Sequence, residues 1–230
     1  MLLWALIACA KPLPVAEAAA PATTSVATTP PPAATPCGEW SGVSGPGTRW
    51  EARSTEAWHE RWGMEGTATT VVTAASDTSV TLQYTGTFTG PGGRYDASRT
   101  TTWRCSAEGA SLERIDATTA GVAGGSPMGH HVIRTFSPPL LVRPAHPVVG
   151  TSWGSAMTVT LQRPDEADLI APTRCTSVVG ADTSLTLPAG ARVARRLEIV
   201  CDTFRAESPW LVQGEGWVAD GDLELTRYAR

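Results

Sequence analysis

Several residue types are scarce in this chain, and each shortage excludes a modification or a class of partner. Its 230 residues include no asparagine, so it has no acceptor for N-linked glycans. Lys11 is the only lysine among 18 basic residues, and charged residues make up 17% of the chain. A net charge of −4 also argues against the concentrated basic surface that phosphate binding requires, so we expect no nucleic-acid partner. We interpret the many arginines as ordinary surface charge.

A long apolar run is also missing. Leu2 to Ala8 are consecutive apolar residues, but a helix needs about 20 of them to cross a bilayer. This short run predicts the apolar region of a secretory signal peptide, residues 1–8. Leu6-Ile7-Ala8-Cys9 resembles the bacterial lipobox, whose cysteine receives a lipid and becomes the new amino terminus. We therefore expect lipid attachment at Cys9. This stretch departs from the usual pattern in that no Lys or Arg precedes the apolar run. The alternative is a plain signal peptide in which Cys9 has no role.

The residues that follow predict a tether. Residues 9–36 are mostly Ala, Pro, Thr and Ser, a composition that buries too little apolar surface to fold. In polyproline II geometry, at about 3.1 Å per residue, such a segment reaches roughly 80 Å. We expect it to hold a folded β-domain, residues 37–230, away from the membrane of the cell envelope. Because no aspartate directly follows Cys9, we expect the outer membrane. The alternative is a spacer with no length requirement.

The cysteine count fits an exported protein. Five cysteines are an odd number, and lipidation of Cys9 leaves four that can pair in an oxidising compartment. Four cysteines allow three connectivities, and the sequence alone does not select one. We favour Cys37 with Cys105 and Cys175 with Cys201, because the second pair flanks one hairpin-like stretch. No C-x-x-C motif occurs and the spacings are long, so we interpret these disulfides as structural.

From Cys37 onward the dominant period is two, which is typical of strands with one buried and one solvated face. Two such runs flank a Gly-Pro-Gly-Gly turn at residues 90–93. Their apolar positions are Val80, Leu82, Tyr84 and Phe88, then Tyr95, Ala97, Thr101, Trp103 and Cys105. In two later runs the apolar positions that share one face are Met157, Val159 and Leu161, then Val193, Leu197, Ile199 and Cys201. Arg99 and Arg195 fall on apolar faces as exceptions.

Two local signals complete the reading of the fold. Asp220-Gly221, between two short apolar runs, predicts a hairpin turn. Ser54 can cap a short helix over residues 55–62 that Gly63 would end. We therefore predict an all-β domain with at most one short helix. Its architecture is a single antiparallel curved sheet, or a flattened or half-open barrel, of about ten strands.

The second half of the chain resembles uncharacterised envelope β-lipoproteins of gram-negative bacteria. The residues that carry this resemblance are Pro139-Leu140-Leu141, Val149-Gly150-Thr151-Ser152-Trp153, Leu187-Pro188-Ala189-Gly190-Ala191, Trp210 to Trp217, and Leu223-Glu224-Leu225. The resemblance implies an open or half-closed β-barrel similar to the carriers that move lipoproteins or lipids across the periplasm. The four cysteines of the domain depart from that pattern.

Three groups of residues invite a site assignment. Gly150-Thr151-Ser152-Trp153-Gly154 matches the G-x-S-x-G nucleophile elbow, but a strand pattern follows it and all four histidines precede it. His130, His131 and His146 could suggest a metal, yet neighbouring residues of a strand face opposite ways and residues 124–129 indicate a mobile loop. Asp165, Glu166 and Asp168 lack the spacing of a calcium loop. We expect no catalytic residue, metal or cofactor among them.

The function expected from the sequence is binding without catalysis. No nucleophile, base and orienting group can be combined from these residues, so we expect no enzyme. Eight tryptophans outside the signal peptide serve either as a platform for sugars or acyl chains or, as we favour, as core residues. The leading hypothesis is a lipoprotein that binds an apolar ligand or a protein partner on the concave face of its β-domain. The alternative is a structural or adhesive module without a cavity; a carrier instead needs an unfilled apolar cavity.

Overall fold

The computed structural model describes residues 37–123, 126–204 and 208–230, so the signal peptide, Cys9 and the tether lie outside the described residues. The described part is all-β, with one α-helix, α1 (Glu56–Trp62), and one 3₁₀ turn (Glu39–Ser41). The twelve strands are β1 (Arg49–Ser54), β2 (Glu65–Ala75), β3 (Ser79–Gly90), β4 (Gly93–Ser106), β5 (Gly109–Ala123), β6 (Ser126–Pro144), β7 (Ser152–Gln162), β8 (Leu169–Leu187), β9 (Gly190–Cys201), β10 (Trp210–Val212), β11 (Gly216–Ala219) and β12 (Leu223–Ala229). None of the helices in these ranges is long and apolar enough to cross a membrane.

The strands form one closed antiparallel barrel in which each strand pairs with the next along the chain. The barrel closes between β1 and β12, where Arg49 lies opposite Ala229 and Ser54 opposite Leu223. The expectation of a half-open sheet of about ten strands was therefore wrong. The barrel has twelve strands, and the shortest, β10, has three residues, which is too short for a period of two to show. Closure depends on pairing between the first and last strands of the domain. The alternation of residues within a strand does not indicate which strands pair.

The alternation predicted for β3 and β4 is confirmed. Val80, Leu82 and Phe88 are buried in the barrel, as are Trp103 and Cys105 on the neighbouring strand. These two strands pair without interruption from Ser79 opposite Arg104 to Gly90 opposite Gly93. The turn between them lies at Pro91-Gly92, as the sequence predicted.

The face assigned to β9 needs correction. Val193 is 65% exposed, and its neighbour Ala194 is buried instead, together with Leu197 and Ile199. The register between β8 and β9 shifts between Val179 and Asp182. An irregularity of this kind moves the alternation by one residue, so positions before it face the opposite way.

Arg195 lies beside this irregularity, which explains its apparent place on an apolar face. Its guanidinium forms a bidentate salt bridge with Asp182, at 2.7 and 2.9 Å, and donates a hydrogen bond to the carbonyl oxygen of Pro147. It also lies 4.9 Å from the centre of the Trp40 ring. Arg195 thus joins the strand to the loop between β6 and β7.

The predicted turn between β11 and β12 is present, but it uses a different mechanism. Neither Asp220 nor Gly221 has a positive φ. The Asp220 carboxylate instead accepts hydrogen bonds from the backbone N–H groups of Asp222 and Leu223, both at 2.8 Å. The aspartate side chain therefore fixes this turn, as in an Asx turn.

Helix α1 begins one residue later than the sequence predicted. The Thr55 hydroxyl, not that of Ser54, caps it by accepting a hydrogen bond from the N–H of Trp58 at 3.2 Å. Ser54 Oγ instead accepts from the N–H of Gly66 in β2. Gly63 ends the helix with φ +63°, as expected.

We expect Thr55→Ala to lower the free energy of unfolding by about 1 kcal/mol, the usual cost of losing an N-cap. The same hydroxyl donates to the Gly221 carbonyl oxygen at 3.0 Å, so the change also loosens α1 from the β11–β12 turn. Urea denaturation measures the effect, and Thr55→Ser, which keeps the hydroxyl, is the control. An equal loss in the serine variant would assign the effect to the threonine methyl group instead.

Residues 37–48, which we call the capping segment, cover one end of the barrel. Its hydrogen-bond partners include the Tyr228 hydroxyl, which donates to the Gly42 carbonyl oxygen at 2.7 Å, and the Arg143 guanidinium, which donates to the Ser41 carbonyl oxygen at 2.7 Å. Val43 is fully buried among the inward side chains of the barrel. The capping segment therefore closes this end with apolar and hydrogen-bonded contacts.

Two disulfides hold the domain, in the pairing that we favoured. Cys37–Cys105 ties the start of the capping segment to the end of β4. Cys175–Cys201 joins directly opposed residues of β8 and β9. The first disulfide fastens the end of the barrel, and the second reinforces a ladder that the backbone already forms.

Candidate ligand cavity inside the barrel

Buried apolar side chains fill the barrel interior only in part. Inward side chains of β6 to β10 form one packed cluster of buried apolar residues, among them Phe136, Leu140, Met157, Val159, Val179, Leu197 and Leu211. A second cluster joins Val43 of the capping segment to inward residues of β1 to β5, β8, β9, β11 and β12, among them Trp50, Val72, Val80, Trp103, Val218 and Leu225. Space remains beside both clusters, chiefly along β1 to β6. A barrel of twelve strands has a wider interior than the eight-stranded barrels that side chains just fill.

The unfilled part is a cavity of about 420 Å³, within the range of roughly 300–1,000 Å³ usual for small-molecule sites. It extends from Arg143, next to the capping segment, to Asp220 and Leu223 at the opposite end. Inward residues of β1 to β6 supply most of its wall. The cavity therefore runs from the capping segment to the end of β12 at Leu223, mainly along β1 to β6.

Aromatic rings make up much of the cavity wall. They are Trp50, Tyr84, Trp103, Phe136, Phe204 and Trp217. Small residues alternate with them and keep the space open, among them Ala52, Ala68 and Ala117. Large rings beside alanines are the arrangement that leaves room for an apolar guest.

Three arginines also face this cavity, and each lies over an aromatic ring. Arg99 is 5.1 Å from the centre of the Tyr84 ring, and Arg134 is 5.2 Å from that of Phe204. Arg143 is 4.2 Å from the Trp103 ring and donates a hydrogen bond of 2.7 Å to the Ser41 carbonyl oxygen. Cation–π contacts of this kind offset part of the cost of holding a guanidinium away from water.

The setting of Arg134 differs from that of the arginines on the outer surface. Burial lowers the pKa of Arg134 below its ordinary value, because the cavity wall removes water from the guanidinium. Among the residues that the structure describes, no carboxylate lies within 4.0 Å of this group. Outer arginines do have such partners, as in Arg53–Glu224 at 2.8 Å and Arg104–Glu113 at 2.6 Å. Arg134 is thus a desolvated cation beside open space.

The arginines of the cavity are the functional candidates that sequence reasoning missed. They were interpreted as surface charge, although Arg99 was noted on an apolar face. Arg134 carries the same signal, because it lies two residues from Val132 and from Phe136 along β6. An arginine two positions away from apolar residues on both sides of it in a strand faces the same way as they do. This pattern could have identified the arginines that point into the barrel.

The sequence left two roles open for the tryptophans, as core residues or as a platform for sugars or acyl chains, and the structure places them in different surroundings. Trp50 and Trp103 are buried core residues, and with Trp217 they also line the cavity. Trp58 and Trp62 lie on α1, where their rings are 5.9 Å apart and Trp62 is 58% exposed. Trp50 and Trp103 therefore pack in the core and also border the cavity.

The other residues singled out from the sequence do not converge on a site. Ser152 begins strand β7, so no helix follows it as a nucleophile elbow requires. His130 and His131 lie near the start of β6, within the strand and not in a loop, and His146 follows its far end. His131 contacts Asp116 at 2.9 Å. That contact holds the pKa of the Asp116 carboxyl below its ordinary value.

The acidic residues after β7 are in a loop, where Arg163 pairs with Glu166 at 2.9 Å. Residues 124 and 125, part of the expected mobile loop, lie outside the described residues. Within the described ranges no group of three His, Cys, Asp or Glu side chains could hold a metal ion.

No family model matches this chain, and no curated protein or solved structure gives a significant match to it. The cavity and its wall are therefore what the function has to be inferred from.

Proposed function

We propose that this protein is a non-enzymatic lipoprotein of the cell envelope that binds an apolar ligand inside its β-barrel. The observation that carries the proposal is the cavity of about 420 Å³ lined by aromatic and aliphatic side chains. Such a space costs packing energy when empty, because its lining loses contacts that a filled interior would have. A ligand of matching shape restores those contacts.

The position and wall of the cavity support binding over the alternatives. A structural or adhesive module is expected to have its interior filled by its own side chains, as the β6–β10 side of this barrel is. The wall is mostly aromatic and aliphatic, which suits the binding of an apolar guest. Export and the lipid anchor at Cys9 remain part of the proposal on the grounds given by the sequence.

Native mass spectrometry of the gently purified full chain tests the proposal directly. A bound ligand gives a mass excess over the polypeptide with two disulfides, and this excess disappears on denaturation. A bare polypeptide mass, together with no uptake of added apolar probes, would contradict binding and favour the structural or adhesive module.

Ala117→Phe is expected to block the cavity. Ala117 faces the lumen between Arg99 and Val132, so a phenyl ring at this position occupies the space that a ligand needs. We expect at least about a tenfold weaker binding of the apolar dye N-phenyl-1-naphthylamine, followed by fluorescence titration.

The matched control is Ala120→Phe on the same strand, where the side chain is exposed on the outer face. It adds the same ring to the protein but leaves the lumen unchanged. Circular dichroism confirms that both variants are folded. Equal dye binding by both variants would place the dye outside the barrel and remove this support for the proposal.

A further inference from the structure

We propose that the ligand is an amphiphile, with one long apolar chain and one acidic headgroup, whose headgroup is bound by Arg134. This inference rests on the proposed function, since it assigns the chemistry of the ligand held in the same cavity.

The charge of the cavity wall selects an anion. Its described residues include three arginines, Arg99, Arg134 and Arg143, and one acidic residue, Asp220. The wall is therefore cationic, although the chain as a whole carries a net charge of −4. Because the effective dielectric constant inside a protein is lower than in water, such an excess attracts an anion more strongly than the same charges would on the surface.

Arg134 is the residue placed to receive that anion. Its guanidinium faces the open space and lies over the Phe204 ring, which leaves its N–H groups to other partners. A guanidinium presents a planar fork of donors that matches a carboxylate or phosphate with two parallel hydrogen bonds. No carboxylate of the described residues lies within 4.0 Å of this desolvated cation. Such a burial is unfavourable, and an acidic ligand offsets its cost.

The rest of the wall selects an apolar chain. The Phe204 ring packs edge-on against Phe136 at 5.8 Å, and Ile115, Leu112 and Leu140 continue the apolar surface toward the capping segment. A small hydrophilic anion would leave this surface uncovered. An acidic headgroup at Arg134 with a chain along these residues satisfies both parts of the wall.

The test measures binding of three probes with the same chain by the full-length protein, below the concentrations at which they form micelles. The probes are dodecanoate, dodecyl phosphate and the neutral dodecanol. We expect at least one acidic probe to bind about tenfold or more tightly than the alcohol, and the tighter of the two identifies the headgroup. Arg134→Met should abolish this preference and leave the affinity for dodecanol unchanged.

Arg114→Met is the matched control, because Arg114 lies on neighbouring strand β5 and pairs with Asp116 on the outer face. It removes one positive charge without altering the lumen and should keep the preference for the acidic probe. If the unaltered protein binds acid and alcohol equally, or if Arg134→Met keeps the preference, the headgroup assignment is wrong and the proposed function stands. If no probe binds, the proposed function itself fails.

Discussion

Replacing Cys37 and Cys105 together with serine is expected to lower the free energy of unfolding by about 4 kcal/mol. The disulfide closes a loop with a sequence separation of 68 residues. Without it the unfolded chain gains conformational entropy, which favours unfolding. It also releases the start of the capping segment from the end of β4. Urea denaturation of the non-reduced proteins measures the change.

The second disulfide supplies the control. Cys175→Ser with Cys201→Ser opens a shorter loop, with a separation of 26 residues, between strands that remain paired. Hydrogen exchange separates the two cases, because only loss of Cys37–Cys105 should increase exchange in residues 37–48. Unchanged exchange there would show that the capping segment is held without its disulfide.

Gly42→Ala is expected to cost about 3 kcal/mol or more, as the sum of backbone strain and overlap. Gly42 has φ +70°, and a Cβ atom at this position would overlap the carbonyl of Glu215 in the β10–β11 turn. The reverse contact is equally tight, since a Cβ on Gly216 would meet the carbonyl oxygen of Ser41. The two backbones can approach in this way only because both residues are glycines.

Gly47→Ala isolates the contribution of strain. Gly47 also has a positive φ, of +92°, but a Cβ there has no heavy atom within 4 Å. We expect this variant to lose about 1 kcal/mol, the cost of the backbone conformation alone. Thermal or urea unfolding compares the two variants, and equal losses would show that the capping segment moves to relieve the overlap.

The sequence predicted the strand content and the inward faces of β3 and β4 well, because long strands repeat a period of two many times. It failed where a local irregularity resets that period, as at Val193, and where strands are too short to show it, as in β10. It also placed the cap of α1 at Ser54, because both Ser54 and Thr55 are acceptable caps. Only the contacts of the fold assign each hydroxyl to its partner.

The candidate site was far less predictable. A cavity arises from the distance between strands that are remote in the sequence, so residues 52, 117 and 134 have no local relationship to one another. Composition further concealed the arginines of the lumen, because a chain with one lysine uses arginine for nearly all of its positive charge. Their inward direction becomes visible only with the register of β4, β5 and β6.

The pairing of β1 with β12 also has a consequence for synthesis. The barrel cannot close until its last seven residues of strand, Leu223–Ala229, have emerged, because they pair with a strand made at the start of the domain. Until then, β1 and β11 present unpaired edges on which another chain can add a strand. A chain truncated before Leu223 would keep both edges permanently. Strand β12 therefore covers two backbone edges at once, and no other described strand pairs with them.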